Sequence, residues 1–272
     1  MKLSIITINY NNASGLEKTI KSVIAQTFKD FEYLIVDGDS RDNSVQIIET
    51  LLKNSDCTFS FVSEPDDGIY NAMNKGIKKA KGEYCLFLNS GDELISGSVL
   101  NDVFNVMQQP TADILIGNEL RDNHIIKTKF PVTFFDLYSS SLPHQSTFIR
   151  RELFYRVGFY NENFKIVSDW EFWLKSIIIF NCSVIKIDFL IANYNITGIS
   201  NSEIELRTKE RGIVLAELFP KMVIADYYTF EKHRKLFLYA NALINHPKVY
   251  KILMFVVKIM YKLNMILLRN NE

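Results

Sequence analysis

The stretch Lys81-Gly-Glu-Tyr-Cys-Leu-Phe-Leu-Asn-Ser-Gly-Asp-Glu-Leu94 organises this chain of 272 residues. Its centre, residues 84–88, is short, apolar and rich in aromatic and aliphatic side chains, which predicts a buried strand. The strand ends in a polar turn, where Gly91 permits a tight bend and Asp92 and Glu93 present carboxylates. Ligands of open α/β sheets bind beyond the carboxyl ends of strands, and a carboxylate there suits a divalent cation and, through it, a phosphate. The same residues also make ordinary polar turns, so this stretch alone leaves both interpretations open.

Three similar units precede this strand. Each has an apolar run, a polar turn and then a helical pattern, with strands predicted at residues 3–8, 31–36 and 58–62 and helices at 14–24, 45–52 and 69–80. The first helix has the spacing of a capping box, Ser14-Gly-Leu-Glu17. Strands that alternate with helices predict a parallel sheet with right-handed crossovers. The polar turns at Asn9, Asp37, Asp66 and Asn89 are therefore expected on one rim, which favours a binding site for a polar, charged ligand.

The second half of the sequence is less regular. Helices are predicted at 98–107 and 168–179, and strands at 113–116 and 124–129. An entry turn and a strand are predicted at 143–149, and one or two strands at 182–194. From Ser202 the pattern is helical, with a break near residues 245–247. We expect one domain over residues 1–201, with a nucleotide-binding half at 1–95 and an acceptor half at 96–201, followed by a helical C-terminal extension over 202–272.

Composition is that of an ordinary globular protein, with 47% hydrophobic residues, 23% charged residues and a formal net charge of zero. A chain of this length can bury about three quarters of its unfolded surface. Zero net charge gives no reason to expect a nucleic-acid partner. The three cysteines are scattered and lack metal-ligand spacing, which predicts neither disulfides nor a zinc site and suits a reducing cytosol. Neither a signal-peptide pattern nor a membrane-spanning run is recognisable, so a cytoplasmic location is expected.

Five motifs carry a family resemblance: Ser4-Ile-Ile-Thr-Ile-Asn-Tyr-Asn11, Val36-Asp-Gly-Asp-Ser40, Gly68-Ile-Tyr-Asn-Ala-Met-Asn-Lys-Gly76, Phe87-Leu-Asn-Ser-Gly-Asp92 and Ser168-Asp-Trp-Glu171. In this order they resemble the nucleotide-sugar-dependent glycosyltransferases of family 2, from Lys2 to about Ser200. The resemblance implies the GT-A fold, a Rossmann-like α/β fold of nucleotide-diphospho-sugar transferases. It has a mixed, mostly parallel sheet flanked by helices, here with a helical C-terminal tail.

The resemblance also implies roles for single residues. Thr7, Asn9 and Tyr10 resemble the residues that line the nucleoside pocket, and Asp37 resembles the partner of the base. Further ligand-binding candidates, by motif position, are Asp66, Asn74, Ser90, Gly91 and His144, the last near the diphosphate or metal.

Asp92 sits where the family binds its metal, Mg²⁺ or Mn²⁺, and Asp169 where it carries its catalytic base. Local chemistry offers simpler alternatives. Asp66 is also a residue type that caps helices, and His144 could be an ordinary turn histidine. Ser168-Asp-Trp-Glu171 also has the spacing of a capping box.

Three departures from the family pattern stand out. The Asp-x-Asp metal motif is reduced to Ser90-Gly-Asp92, which leaves Asp92 as the main protein ligand. The turn after the second strand reads Asp-Gly-Asp in place of Asp-Asp-Gly, and the Glu-Asp pair is Ser168-Asp169. Within the family, the pattern is similar to bacterial enzymes that build capsule, exopolysaccharide or O-antigen repeat units.

The activity that the resemblance implies is inverting transfer of one sugar from a nucleotide-diphosphate donor, a UDP-sugar, to a glycan or lipid-linked acceptor. The reduced metal motif keeps an alternative open, an inactive glycosyltransferase-like scaffold of a polysaccharide assembly. Residues 198–200 resemble the loop that closes over the diphosphate. In residues 249–268, Lys251, Lys258 and Lys262 share one helix face within an apolar run. This suits peripheral contact with the inner face of the membrane, or packing on the domain or on a second copy in a homodimer.

Overall fold

The structure is a computed structural model that describes residues 1–53, 55–106, 112–196, 198, 202–236, 239 and 246–269, with side chains as far as residue 262. The chain forms two compact units, Met1–Leu218 and Phe219–Glu272. The first unit runs past residue 201, where the sequence predicts the end of the domain. The reason is that the helix after that point buries Glu210 and Val214.

The first unit is built on a nine-stranded mixed sheet flanked by helices. Its strands are β1 (Leu3–Asn9), β2 (Phe31–Asp37), β3 (Thr58–Ser63), β4 (Tyr84–Phe87), β5 (Glu93–Leu94), β6 (Ile114–Arg121), β7 (His124–Ile126), β8 (Thr147–Arg150) and β9 (Val184–Tyr194). Its helices are α1 (Ala13–Ile24), α2 (Ser44–Lys53), α3 (Ile69–Lys79), α4 (Val99–Val106), α5 (Phe134–Ser139), α6 (Arg151–Val157), α7 (Ser168–Trp173) and α8 (Ile204–Leu218). This architecture confirms the predicted α/β fold.

Strand order is β3-β2-β1-β4-β8-β6-β9-β5, with β7 paired to β6. The first four strands are parallel, whereas β8 runs antiparallel to both β4 and β6. In the register of the parallel part, Asn9 lies beside Asp37, and Asp37 beside Ser63. The polar turns after these strands therefore lie on one rim, as the sequence predicts.

Burial explains why the central strands read as continuous apolar runs. Every residue of β1, β2 and β4 is buried, because helices cover both faces of the sheet. On one face, Leu16, Ile20 and Val23 of α1 pack into the main core with strand residues such as Ile5 and Tyr33. The sheet is therefore a rigid base for the turns at its rim.

Two predicted capping boxes are wrong. Helix α1 begins at Ala13, and the side chain of Asn12, not of Ser14, caps it by accepting the N–H of Gly15. Helix α7 has no side-chain cap: the Ser168 hydroxyl instead accepts the N–H of Asn161, and Glu171 pairs with a lysine one turn later. The predicted capping boxes are absent because neither serine is at the N-cap position: Ser168 is the first residue of its helix and Ser14 the second.

Three other predicted elements differ in length or regularity. The helix predicted over 168–179 changes from α to π at Leu174–Ile179. Strand β6 runs on to Arg121 and pairs with β7, which covers only His124–Ile126 of the predicted 124–129. Within the predicted 182–194, Val184–Tyr194 form one long strand, β9.

The second unit contains α9 (Lys221–Lys232) and α10 (Pro247–Arg269). Helix α10 begins at Pro247, a residue whose fixed backbone suits a first helical position. The predicted break at 245–247 falls partly outside the described residues. Within the described part of the chain, no helix is both long and apolar enough to cross a membrane.

Candidate active site

A cavity of about 440 Å³ opens at the rim of the sheet. One wall is the turn after β4, another the segment 139–145, and a third the segment 165–170 at the start of α7. Four predicted site residues line this cavity together: Ser90, Asp92, His144 and Asp169. They come from separate motifs, so the fold brings together what the sequence spreads over 80 residues.

Asp92 is 3% exposed and lies at the base of the turn. Its carboxylate accepts the backbone N–H groups of Asn195, at 2.8 Å, and Asn89, at 3.2 Å. Burial raises the pKa of Asp92 to about 7, the two N–H groups work against that rise, and the nearby carboxylate of Glu119 adds to it. A buried carboxyl whose pKa reaches neutrality is a group that a bound cation would stabilise in its charged form.

Two more polar atoms at this cavity suit a cation. The side-chain oxygen Oδ1 of Asn89 and the ring nitrogen Nε2 of His144 are buried and have no hydrogen-bond partner among the described residues. Burial lowers the pKa of His144, although the charge of Asp169 opposes this, and a neutral imidazole is a metal ligand. The described residues contain no cluster of three or more His, Cys, Asp or Glu side chains able to hold a metal. One carboxylate, one amide oxygen and one imidazole nitrogen fit a cation that takes its other ligands from phosphate and water, as Mg²⁺ does.

Asp169 lies in the first turn of α7, partly exposed to the cavity. Its Oδ1 atom is 2.9 Å from the hydroxyl of Tyr70, which also lies 2.7 Å from the backbone oxygen of Ile166. Tyr70 is 5% exposed, and burial together with the charge of Asp169 raises its pKa well above the usual value. The tyrosine therefore stays protonated and donates a hydrogen bond, which orients the carboxylate on a rigid helix start.

Asn9 and Asp37 form a buried network beside the cavity. The Asn9 amide donates to Asp37 Oδ1 at 2.7 Å and accepts the hydroxyl of Ser90 at 2.6 Å. Burial on its own would raise the pKa of Asp37, but hydrogen bonds from Ser40, Ser63 and Asn9 bring it below the usual value. The ionised Asp37 thus holds the turns after β1, β2 and β3 together, and its oxygens are already occupied by these donors.

A second group of predicted residues meets at Gly38. A Cβ atom at this position would lie 2.5 Å from Asp66 Oδ2 and 3.3 Å from the ring of Tyr10. Tyr10 is 68% exposed, and Asp66 also accepts the N–H of Gly68. Only a glycine at this position lets the side chains of Tyr10 and Asp66 lie this close to the turn after β2.

Like Asn9, Tyr10, Asp37 and Asp66, three more predicted residues do not line the cavity. Thr7 is fully buried and its hydroxyl bonds that of Tyr33, because β1 is covered on both faces. Asn74 is buried and bonds the backbone of Tyr160 and the carboxylate of Glu162, so it anchors α3 to the loop before α7. Gly91 belongs to the turn after β4, with φ at +105° and no space for a side chain, since a Cβ atom would lie 2.2 Å from Asn195 Nδ2.

The cavity also holds residues that the sequence pattern did not predict. Arg121, at the end of β6, pairs with the buried Glu119 at 2.5 Å and stacks on the ring of Tyr194. Gln145 donates to the same glutamate. Gln145 directly follows the predicted site residue His144, but nothing in the sequence links it to β6.

Three further cations line the cavity: Lys165, Arg207 and Arg211. The two arginines belong to α8, which the sequence places in a separate extension. Their spacing of four residues puts them on one helix face, and this is the signal that could have indicated a shared role.

The fold is of the GT-A class, and comparison with known proteins gives the family. The chain belongs to glycosyl transferase family 2, whose model matches residues 4–190. It is therefore a transferase. An uncharacterised glycosyltransferase of Mycobacterium tuberculosis is 30% identical over 209 residues, which are 73% of this chain and 77% of that protein.

Two solved structures share the fold. One is S. aureus TarS in complex with UDP-GlcNAc, with a TM-score of 0.60 and 22% identity over 75% of this chain. The other is the mannosyltransferase PcManGT of Pyrobaculum calidifontis in complex with GDP-Man and Mn²⁺, with a TM-score of 0.62 and 16% identity over 79% of this chain. This chain spans 61% and 63% of their lengths.

Proposed function

We propose that this protein transfers a sugar from a nucleotide-diphosphate donor, a UDP-sugar, to a glycan or lipid-linked acceptor of surface polysaccharide. The observation that carries the proposal is the placement of Asp92 and Asp169 on one cavity at the carboxyl rim of the sheet. One carboxylate faces the expected leaving group and the other the expected acceptor. Residues 1–95 supply the nucleotide half and residues 96–201 most of the acceptor half.

Asp169 is the general base of the proposed reaction. A sugar hydroxyl is a poor nucleophile and needs a base within hydrogen-bond reach. The acceptor oxygen attacks the anomeric carbon while its proton passes to Asp169, and the nucleoside diphosphate leaves from the opposite face. A single displacement of this kind inverts the configuration at the anomeric carbon.

The diphosphate end of the proposed site is formed by the turn after β4. Asp92, with Asn89 and His144 beside it, would hold Mg²⁺ or Mn²⁺, which offsets the charge that develops on the leaving diphosphate. Arg121, Lys165 and Arg207 line the same cavity and supply further positive charge. The base of the nucleotide would lie beside Tyr10 and Asp66 at the turn after β2, supported by the Asn9–Asp37 network.

Titration calorimetry of UDP, with and without Mn²⁺, tests the donor site directly. We expect Mn²⁺-dependent binding in the wild type and loss of the metal dependence in Asp92→Asn. Asp188→Asn is the matched control, because its side chain is 81% exposed and lies off the cavity. Binding of GDP in place of UDP would indicate a GDP-sugar as the donor and would leave the proposed mechanism unchanged.

A second outcome would favour a different function. If the protein binds no nucleotide and turns over no donor, but retains other polysaccharide-assembly proteins on a column, it is a scaffold. The reduced Ser90-Gly-Asp92 motif is the feature that supports this alternative.

Inversion is tested on the product. The anomeric configuration of the new linkage, read from the proton coupling constant by NMR, should be opposite to that of the donor. A product with the donor's configuration would contradict the single displacement.

Helix α10 is the part of the chain that we propose to contact a membrane. At 100° per residue, Lys248, Lys251, Lys258 and Lys262 fall within an arc of about 80°, and the sequence 247–269 contains no acidic residue. Apolar side chains are exposed, among them Ile252 at 66% and Phe255 at 66%. A helix with a cationic stripe and an apolar remainder suits the interface of an anionic bilayer. This would place the protein in the cytoplasm, at the inner face of the membrane.

Vesicle sedimentation tests the membrane contact. The protein should sediment with vesicles of phosphatidylglycerol and phosphatidylcholine, much less with phosphatidylcholine alone, and less in 0.5 M salt. Replacing Lys251, Lys258 and Lys262 by glutamate should abolish sedimentation, and Lys53→Glu is the control. A dimer that forms without lipid and is broken by Phe255→Ser would instead assign α10 to a second copy.

A further inference from the structure

Helix α8 lies beyond the residues that the family model matches, yet it touches the segment that carries the proposed base. Two of its neighbouring residues, Glu210 and Arg211, make these contacts. Glu210 is 5% exposed, although its neighbours on the outer face of α8 are open to solvent. A glutamate is rarely buried unless its carboxylate is paired or hydrogen-bonded. The burial of Glu210 therefore depends on the groups that bond to its carboxylate.

Glu210 holds the backbone just before α7. Its Oε1 atom accepts the N–H of Lys165 at 2.8 Å, and its Oε2 atom accepts the N–H of Ile166 at 3.0 Å. Hydrogen bonds from N–H groups to a carboxylate are stronger than those to a neutral acceptor. Both donors are fixed by one rigid side chain, so the peptide around Ile166 is held in one position.

The position of the Ile166 peptide affects Asp169 through Tyr70. The hydroxyl of Tyr70 lies between the backbone oxygen of Ile166 and Oδ1 of Asp169. A shift of Ile166 therefore moves the hydroxyl that orients the carboxylate. Glu210 touches neither the cavity nor the carboxylate itself.

Arg211 holds the start of α7 from its other side. Its guanidinium lies 4.1 Å from the ring centroid of Trp170, the residue after Asp169. The same group donates to the backbone oxygens of Leu137, Tyr138 and Ser140 at the end of α5, and Trp170 Nε1 also donates to Leu137. The arginine thus clamps Trp170 against the last carbonyls of α5.

We propose that Glu210 and Arg211 are positioning residues, which fix the start of α7 from both sides so that the Asp169 carboxylate points at the acceptor hydroxyl. The inference rests on the proposed role of Asp169 as base. It assigns part of the catalytic geometry to α8, a helix outside the matched family region.

Enzyme kinetics with the donor selected by calorimetry test the proposal, with UDP release as the readout. Glu210→Gln keeps the size of the side chain but places an amide group against a backbone N–H. We expect kcat to fall about 10- to 100-fold, since small misplacements of a catalytic group cost this much, while the donor KM and the Kd for UDP stay within about twofold. Arg211→Lys, which cannot stack and span three carbonyls at once, should show the same pattern. Glu205→Gln, an exposed glutamate on the same helix, is the control and should behave as wild type.

A double-mutant comparison separates positioning from general damage. If Glu210 acts through Asp169, then Glu210→Gln should lower kcat little further once Asp169 is already Asn. An equal fall in both backgrounds would overturn the proposal, and so would an unchanged kcat in Glu210→Gln. Full activity of Asp169→Asn would overturn both the assignment of Asp169 as base and this inference. If Asp169→Asn loses activity while Glu210→Gln keeps the wild-type kcat, only this inference is overturned.

A structural readout is independent of turnover. Amide hydrogen exchange of residues 164–170 should become faster in Glu210→Gln and remain at the wild-type rate in Glu205→Gln. Unchanged exchange at Lys165 and Ile166 would show that Glu210 does not hold this segment, which contradicts the proposal.

Discussion

The Asp92 carboxyl group is buried at the rim of the sheet, and its pKa of about 7 makes its charge depend on pH in the neutral range. A cation must displace the proton below that pH. We therefore expect the Mn²⁺-dependent affinity for UDP to fall about tenfold for each pH unit below 7 and to be constant above pH 8. Calorimetry between pH 5.5 and 8.5 measures this. A wild-type profile as flat as that of Asp92→Asn would contradict the assignment.

The same group affects stability in the metal-free protein. Because its pKa rises from 3.8 in the unfolded chain to about 7, the folded state holds more protons between these values, and stability falls as pH rises through them. The full effect corresponds to roughly 4 kcal/mol. The melting temperature of the wild type relative to Asp92→Asn, measured in EDTA, should therefore decrease from pH 5 to pH 8.

The positions of site residues were predictable where a motif ended a strand, and less so where it lay inside one. Asp92 and Asp169 reach the cavity because their turn and helix start face the rim. Thr7 lies within β1, whose two faces are both covered, so its hydroxyl meets Tyr33 in the core. A motif names the residue type but does not reveal which way its side chain points.

At the scale of elements, the turn after β4 depends on Gly91. Its φ of +105° and the contact with Asn195 exclude a side chain. Gly91→Ala should cost about 2 kcal/mol or more in the free energy of unfolding and weaken UDP binding, because the turn carries Asp92. Gly212→Ala is the control: this glycine lies in α8 with open space around it, and alanine should stabilise the helix by up to about 1 kcal/mol. Denaturant unfolding and UDP titration of both variants check this, and equal stability of the two would contradict the steric argument.

Strand and helix positions in the first half followed from apolar spacing, because buried parallel strands and amphipathic helices leave clear patterns. The ends of the helices did not follow from the sequence. Asn12 and Ser14 are both residue types that cap helices well, and only the path of the backbone determines which of them does so. The change from α to π geometry at Leu174 has no signal in the sequence. The placement of α8 on the cavity also could not be predicted, because it depends on tertiary contacts of Glu210 and Arg211.

At the scale of the whole molecule, the two compact units predict where the chain can be cut. A chain ending at Leu218 should fold and bind UDP as the full protein does, because it keeps the contacts of α8 with the segment 165–170. A chain ending at residue 201 should melt at a lower temperature and lose activity. Thermal melts and UDP titration of both chains measure this, and equal behaviour would favour the domain boundary expected from the sequence.

Glu210 and Arg211 have a consequence for recombining members of this family. A chimera joined at the end of the shared sequence region, near residue 190, would pair one parent's base with another parent's α8. Such a chimera would carry the intended donor and acceptor preferences but would have a much lower kcat. A crossover after Leu218 inherits the base and its two supports as one module, which makes that point the better junction for engineered hybrids.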